Sequence, residues 1–305
     1  MLNMQTVWKP KDLAEAWELR NTVSDSTFVS GATWLRAQWE ENPVATPRHI
    51  IRLDHIPELK GVHLIEEGGG QKLIIGAMTT LSECMGDSLL HEWCPSVVTS
   101  CGQIAAPSVR NQGTIGGNVM TGTGDTLPAL LTYDAQLCWY QRGRMEWETL
   151  ETWLNRCQTT PLTEEQRILV RVGLPLAPQN EPKGFSFFTK VGRRETFIPS
   201  LVSVAGKGRL DRNGIVKYAS LAVGGSAACP MRLSQAEALL EHQPISRRVM
   251  ESLYSTIIQE FDVGDDPFAT KVYKKKVAAN LIVSQWFSAQ DRLAKGGVIR
   301  EAHSS

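Results

Sequence analysis

Gly113-Thr114-Ile115-Gly116-Gly117-Asn118 is the stretch of this 305-residue chain that says most about its fold. Paired glycines let a backbone approach a ligand closely, and the Thr114 hydroxyl and Asn118 amide add hydrogen-bond donors. This combination suits the pyrophosphate of a nucleotide. The stretch lacks the lysine of a P-loop and the G-x-G-x-x-G pattern of a Rossmann unit. Spacing alone leaves open a purely structural Gly-Gly bend.

An earlier turn has a similar character. A short strand over Thr27–Ser30 is predicted to end at Gly31, and Thr33 stands at the mouth of a predicted helix over Trp34–Glu40. The N-terminus of a helix presents free backbone N–H groups and favours a phosphate. A glycine needed only for a tight strand-to-helix turn explains the same residues.

Composition excludes several classes of function. The 32 Lys and Arg residues balance the 32 Asp and Glu residues, and no basic stripe is present, so we expect no nucleic-acid partner. We expect no membrane span and, since no signal peptide is evident, a cytoplasmic protein. The six cysteines lack a C-x-x-C pair and the six histidines lack metal-ligand spacing, so no metal site and no catalytic constellation is predicted.

The length of the chain and the change in predicted secondary structure along it predict two domains. Residues 1–60 are predicted to form a small α/β unit, and residues 61–178 a second subdomain of the same first domain. A polar, proline-containing segment at 177–183 is typical of a linker. Beyond it, residues 183–295 show consecutive strands followed by consecutive helices, which predicts an α+β domain with an antiparallel sheet.

Several single residues admit two interpretations. Asp125 is able to accept from ribose hydroxyls or to cap the helix that follows it. Arg110 suits either a binding role or a surface turn. Lys190 is a lone cation on an apolar strand, which is a snorkelling side chain unless a cofactor lies beside it. The run Lys274–Lys276 predicts the solvated face of an amphipathic helix.

Six short motifs follow one another along the chain. They are Ser30-Gly31-Ala32-Thr33, Ile75 to Leu81, Val109 to Asn118, Asp125 to Leu131, Lys190-Val191-Gly192-Arg193-Arg194 and Val223-Gly224-Gly225. In this order they resemble the FAD-binding medium subunits of molybdenum hydroxylases, the family of xanthine dehydrogenase and aerobic carbon monoxide dehydrogenase. The resemblance implies an α+β fold. A two-subdomain FAD-binding domain of the PCMH or vanillyl-alcohol-oxidase type would precede a smaller C-terminal domain of the carbon monoxide dehydrogenase flavoprotein type.

The resemblance also implies a cofactor site. The two glycine turns would embrace the FAD pyrophosphate, and Ile104, Asp125, Leu169 and Lys190 would lie near the flavin or its ribityl chain. The implied cofactor-binding residues are Val29, Ser30, Gly31, Ala32, Thr33, Trp34, Leu35, Ile104, Thr114, Ile115, Gly116, Gly117, Asn118, Asp125, Leu169 and Lys190.

Three departures from the family pattern bear on the affinity for FAD. Ala32 stands where a second glycine is more usual, and Trp34 replaces a small or polar residue. The segment between Asn118 and Asp125 is about two residues shorter than in common members.

The function implied by the resemblance is electron transfer. Electrons from [2Fe-2S] clusters on a partner subunit would pass through FAD to NAD+ or another acceptor. A large molybdopterin-binding subunit and a small [2Fe-2S] subunit would be the partners, in a dimer of heterotrimers. Two alternatives remain at this stage: a self-sufficient flavin oxidoreductase, and a non-catalytic scaffold subunit that has lost FAD.

Overall fold

A computed structural model describes residues 5–67, 70–176, 184–192, 200–225 and 228–294. The predicted linker at 177–183, and Arg193 and Arg194 of the fifth motif, lie outside the described residues. Within them, the chain forms three sheets and twelve α-helices.

The first unit is a small three-stranded parallel sheet. Its elements are β1 (Thr6–Trp8), α1 (Leu13–Thr22), β2 (Ser26–Val29), α2 (Thr33–Glu41) and β3 (His49–Arg52). Strand β3 lies between β1 and β2, and Ile51 pairs with both Trp8 and Phe28. The predicted succession of strand, glycine turn and helix is thereby confirmed for β2 and α2.

The second unit is a five-stranded antiparallel sheet of order β4-β5-β8-β6-β7. The strands are β4 (Val62–Glu67), β5 (Gly70–Gly76), β6 (Gln136–Gln141), β7 (Arg144–Thr149) and β8 (Ile168–Pro175). The helices are α3 (Leu81–Gly86), α4 (Ser88–Trp93), α5 (Pro95–Gly102), α6 (Pro107–Arg110), α7 (Ile115–Val119), α8 (Leu127–Thr132) and α9 (Leu150–Cys157).

One predicted helix of this unit is two helices. The sequence predicts a single helix over Leu89–Cys101, whereas the structure ends α4 at Trp93 and begins α5 at Pro95, with Cys94 outside both. Proline has no N–H and fits the first turn of a helix better than its interior, so Pro95 starts a new helix.

The third unit is a four-stranded antiparallel sheet of order β12-β11-β10-β9 with three helices. Its elements are β9 (Phe185–Val191), β10 (Val202–Leu210), β11 (Val216–Gly225), β12 (Ala228–Arg232), α10 (Ser234–Leu240), α11 (Arg247–Glu260) and α12 (Lys271–Ala294). Trp286 of α12 is fully buried and packs edge-on against Phe185, with 5.0 Å between ring centroids. The predicted α+β class with an antiparallel C-terminal sheet is confirmed.

The lysine run of α12 corrects a prediction. Lys274 is only 2 % exposed, and its ammonium forms an ion pair with Asp266 at 2.5 Å and donates to the Gly264 carbonyl at 3.0 Å. It is not part of a solvated face. A buried lysine needs such partners because an isolated ammonium is costly to desolvate.

The middle unit lies between the other two. On one side, Ile51 and Leu59 share a core with Ile168 and Val170 of β8. On the other side, the large core includes residues from β9, β10 and β11, namely Phe188, Ala205 and Ala222. In the described part of the chain, no helix has both the length and the apolar character needed to cross a membrane.

Candidate cofactor-binding cleft

The main cleft of the molecule has a volume of about 730 Å³ and is lined by residues from all three units. Fourteen of the sixteen residues implied by the resemblance line it. They are Ser30, Gly31, Ala32, Thr33, Trp34, Leu35, Ile104, Thr114, Gly116, Gly117, Asn118, Asp125, Leu169 and Lys190. Residues separated by up to 160 positions in the sequence are therefore brought to one site.

Val29 and Ile115 do not line the cleft. Val29 ends β2 and is 5 % exposed, and Ile115 is fully buried in the large core. Each stands next to residues that do line the cleft, so both motifs include a residue that serves packing. We therefore exclude their side chains from the site.

The two glycine turns touch each other. A Cβ atom added to Gly31 would lie 1.8 Å from the carbonyl oxygen of Gln112, so only glycine permits this approach. The Thr114 hydroxyl donates to Ser30 Oγ at 3.2 Å, and a Cβ at Gly117 would lie 3.0 Å from both hydroxyl oxygens. The turns thus form one continuous wall of the cleft.

The N–H groups of the second turn are used within the protein, which corrects the simplest interpretation of its glycines. Ile115 donates to the Thr79 carbonyl and Gly116 to the Ala77 carbonyl, both at 2.9 Å. Gly117 donates to Thr114 Oγ1 at 3.0 Å. The paired glycines therefore let the turn lie close to neighbouring residues, but their N–H groups are not available to bind a ligand.

The donors lie in the first turn. Helix α2 begins at Thr33, and its first N–H groups have no acceptor inside the helix. Its N-cap, Ala32, provides no side-chain hydrogen bond to them. These N–H groups, at the positive end of the helix dipole, are suited to bind an anion.

The structure describes the two residues of the first turn that depart from the family pattern, Ala32 and Trp34. Ala32 adopts a left-handed conformation, with φ of 56° and ψ of 2°, where glycine is favoured because it has no Cβ. Trp34 lines the cleft and remains 41 % exposed.

Asp125 is held between the second turn and the third unit. Asn118 Oδ1 accepts from the backbone N and the hydroxyl of Thr126, at 3.1 and 2.6 Å. Asp125 does not cap α8, whose N-cap is Thr126. Its carboxylate accepts instead from Lys190 Nζ, at 2.8 Å, and from the hydroxyl of Ser200.

Lys190 is thus an ion-paired residue of the cleft rather than a snorkelling side chain. The Lys190 and Asp125 side chains are 20 % and 13 % exposed. Ser200, which sequence reasoning missed, is 1 % exposed. Nothing in its local sequence indicates a contact with a residue 75 positions earlier.

Arg110 supports one wall of the cleft. Its Nη1 donates to the carbonyls of Ile104 and Ala105 at 2.9 and 2.6 Å. Ala105 is left-handed, with φ of 44°, and both residues line the cleft. Arg110 therefore fixes the backbone of the wall that contains Ile104.

Arg167 and Glu165, which line the cleft, belong to a charged network. Arg167 donates to Glu148 and Glu165, at 2.8 and 2.7 Å, and stacks on Trp139 at 4.4 Å from the ring centroid. Burial disfavours ionised Glu165, but hydrogen bonding and charge from Arg167 outweigh burial and lower the pKa of this carboxyl. The network pairs two arginines, Arg156 and Arg167, with Glu148 and Glu165, so its charges are balanced.

The residues present fit FAD. The cleft has a volume of about 730 Å³, and its two turns supply uncapped helix N–H groups and glycines that let the backbone segments approach closely, since a Cβ at Gly31 or Gly116 would collide with the backbone of Gln112 or Ala77. In the described ranges, no group of three or more His, Cys, Asp or Glu side chains is arranged to hold a metal ion.

Comparison with known proteins agrees with this geometry. Residues 2–177 match the family described as the FAD binding domain in molybdopterin dehydrogenase. Residues 186–289 match the CO dehydrogenase flavoprotein C-terminal domain. The chain belongs to the family of FAD-binding subunits of molybdopterin dehydrogenases.

Two sequence relatives illustrate the range of the family. The chain is 30 % identical over 265 residues to the xanthine dehydrogenase FAD-binding subunit of Escherichia coli O157:H7, covering 85 % of this chain and 87 % of the relative. It is 35 % identical over 123 residues to the carbon monoxide dehydrogenase medium chain of Hydrogenophaga pseudoflava, covering 40 % and 41 %. Both relatives are oxidoreductase subunits by name.

Solved structures show the same fold over nearly the whole chain. A chain of carbon monoxide dehydrogenase from Hydrogenophaga pseudoflava matches with a TM-score of 0.83 and 23 % identity, covering 95 % of this chain and 98 % of that one. A chain of quinoline 2-oxidoreductase from Pseudomonas putida 86 matches with a TM-score of 0.82 and 18 % identity, with the same coverage.

Proposed function

We propose that this chain is the FAD-binding electron-transfer subunit of a molybdenum hydroxylase complex. The observation that carries the proposal is the uncapped N-terminus of α2 packed against the second glycine turn in a cleft of about 730 Å³. Membership of the family supports the same cofactor. An intact cleft of this kind favours FAD binding over the scaffold alternative.

We further propose where FAD binds. The pyrophosphate lies at the N-terminus of α2, close to Ser30 and Thr114. The flavin lies at the end of the cleft that contains Ile104, Asp125 and Lys190, because flavin gains negative charge on reduction and a cation stabilises that charge. Leu169, which also lines the cleft, lies beside the flavin or its ribityl chain. Bound FAD supplies the redox chemistry, and the protein orients it.

The finer functional assignments belong to the same proposal. Electrons reach this subunit from [2Fe-2S] clusters on a small partner subunit and leave to NAD+ or another acceptor. The large partner holds the molybdopterin cofactor and the substrate, and two such heterotrimers pair. Six free cysteines suit a reducing compartment, so we place the complex in the cytoplasm.

We also propose the domain limits. Residues 1–178 form the FAD-binding domain, with subdomains of about 1–60 and 61–178, and residues 183–295 form the C-terminal domain. The separate sheets of the three units support this division.

The direct test is titration of the purified full chain with FAD, followed by flavin absorbance and fluorescence. We expect saturable binding by the wild type and a loss of at least tenfold in affinity for Gly116→Ala, about 1.4 kcal/mol or more. The added Cβ would lie 2.6 Å from the Ala77 carbonyl oxygen, so the turn must shift.

Gly86→Ala is the matched control. Gly86 ends helix α3 outside the lining of the cleft, and a Cβ there meets nothing within 4 Å, so FAD affinity should match the wild type. Circular dichroism distinguishes lost binding from lost folding. A folded wild-type chain without affinity for FAD would overturn the proposal, as would turnover of xanthine, an aldehyde or carbon monoxide by the chain alone.

A further inference from the structure

Ser200 is placed to control the charge at one end of the cleft. It precedes β10, is 1 % exposed, and donates its hydroxyl to Asp125 Oδ1. The other oxygen of that carboxylate, Oδ2, accepts from Lys190 Nζ at 2.8 Å. Each carboxylate oxygen of Asp125 therefore accepts one hydrogen bond, Oδ1 from a buried hydroxyl and Oδ2 from a cation.

The backbone on both sides of Asp125 has little freedom. The following residue, Thr126, is bonded twice to Asn118, and a Cβ on the preceding Gly124 would lie 2.3 Å from Asn118 Oδ1. The backbone on both sides of Asp125 is therefore tied to the second glycine turn. Ser200 and Lys190 approach it from the third unit.

We propose that Ser200 is a positioning residue that sets how strongly the Lys190 charge acts on the flavin. This inference rests on the proposed function. Its hydroxyl directs Oδ1 away from the ammonium and offsets part of the carboxylate charge. Without it, both carboxylate oxygens are free to turn toward Lys190 and neutralise it more completely.

The expected consequence is electrostatic. Reduction adds negative charge to the flavin, and a less neutralised Lys190 stabilises the reduced form more than the oxidised form. Ser200→Ala should therefore shift the midpoint potential of bound flavin to more negative values. It should also weaken FAD binding by about threefold to tenfold, less than the loss of a whole hydrogen bond to a charged group, because Ser200 acts on FAD only through Asp125 and Lys190.

The experiment measures the flavin midpoint potential and FAD affinity of the full chain by spectroscopic redox titration and equilibrium binding. Ser200→Thr keeps a hydroxyl and should restore both values toward the wild type. Ser203→Ala is the matched control, because Ser203 lies three residues further on, is 1 % exposed, and its hydroxyl has no hydrogen-bond partner among the described residues. It should leave the potential unchanged.

Variants that carry Lys190→Met test whether Ser200 acts on the flavin through Lys190. In Lys190→Met, the potential should already be more negative, and adding Ser200→Ala should shift it little further. An equal shift from Ser200→Ala with and without Lys190 would overturn the proposal. So would a Ser200→Ala chain that melts earlier but keeps the wild-type potential and affinity. A wild-type chain that binds no FAD would instead contradict the proposed function itself.

Discussion

At the scale of single residues, Ala32 matters both for the fold and for the cofactor cleft. It occupies the turn between β2 and α2 in a left-handed conformation, which costs an L-residue with a Cβ more than it costs glycine. The residue that departs from the family pattern is thus also a strained residue, directly before the N–H groups proposed to bind the pyrophosphate.

Replacing Ala32 by glycine should stabilise the chain. We expect the free energy of unfolding to rise by about 0.5–1 kcal/mol, because relief of left-handed strain outweighs the added freedom of the unfolded chain. Urea denaturation without FAD measures this change. Ala37→Gly, in the interior of α2, should lower stability by about 1 kcal/mol. Two changes of the same sign would refute the strain argument.

Single residues also show which parts of the candidate site could be predicted from the sequence. Gly31 and Gly117 were identifiable because close approach demands glycine, and the structure places both at the contact between the turns. Which N–H groups remain available was not predictable, since it depends on the carbonyls of Ala77 and Thr79 in another segment. Ser200 was missed for the same reason: its partner is distant in sequence.

At the scale of elements, even a very short helix supports the wall of the cleft. Helix α6 spans only Pro107–Arg110, yet its last residue holds the Ile104 and Ala105 carbonyls. The next residue, Asn111, accepts from the Ser82 hydroxyl at 2.5 Å. The segment from 104 to 111 is therefore braced at both ends.

Arg110→Met should weaken FAD binding more than it weakens folding. Two carbonyls of the cleft wall lose their charged donor, and Ala105 loses the contact that holds its left-handed backbone. We expect about a tenfold loss of affinity, in keeping with a charged hydrogen bond worth about 1.5 kcal/mol or more.

Arg110→Lys provides the comparison, since it keeps the charge but cannot reproduce the guanidinium geometry. Its affinity should lie between those of the wild type and Arg110→Met when flavin fluorescence is titrated. Affinities for both variants equal to the wild type would show that the wall needs no such support.

The separation of α4 from α5 illustrates a different limit of sequence reasoning. The apolar periodicity of Leu89–Cys101 continues across Pro95, so pattern alone merged two helices. Proline chemistry would have found the break. By contrast, the spacing of Thr80 and Glu83 in the sequence is typical of a capping box, and the structure contains one, with Thr80 Oγ1 accepting from Glu83 N at 3.1 Å.

At the scale of the whole molecule, Arg232 connects the second and third units. Its guanidinium pairs with Glu237, and its Nη1 also donates to Asp134 and, at 3.1 Å, to the Leu131 carbonyl at the end of α8. Burial opposes its charge, but Glu237 outweighs burial and raises the pKa of Arg232. The charge persists throughout the usual range of pH.

Arg232→Met should destabilise the full chain by about 3–5 kcal/mol, because Glu237 would be left as a buried charge without its partner. Chemical denaturation measures this loss. Lys217→Met is the control: Lys217 pairs with Asp211 but its side chain is 44 % exposed, so the loss should be under about 1 kcal/mol. A comparable loss for both variants would contradict the assigned role of Arg232.

The strand order of the middle sheet has a consequence for the timing of cofactor uptake during synthesis. Strand β8 lies between β5 and β6, so a nascent chain that ends before residue 168 has a gap in its sheet. Lys190 and Ser200 leave the ribosome later still. Since domains fold as they emerge, a cleft that includes Lys190 is complete only after residue 190 has been translated, and we expect FAD to bind after that point.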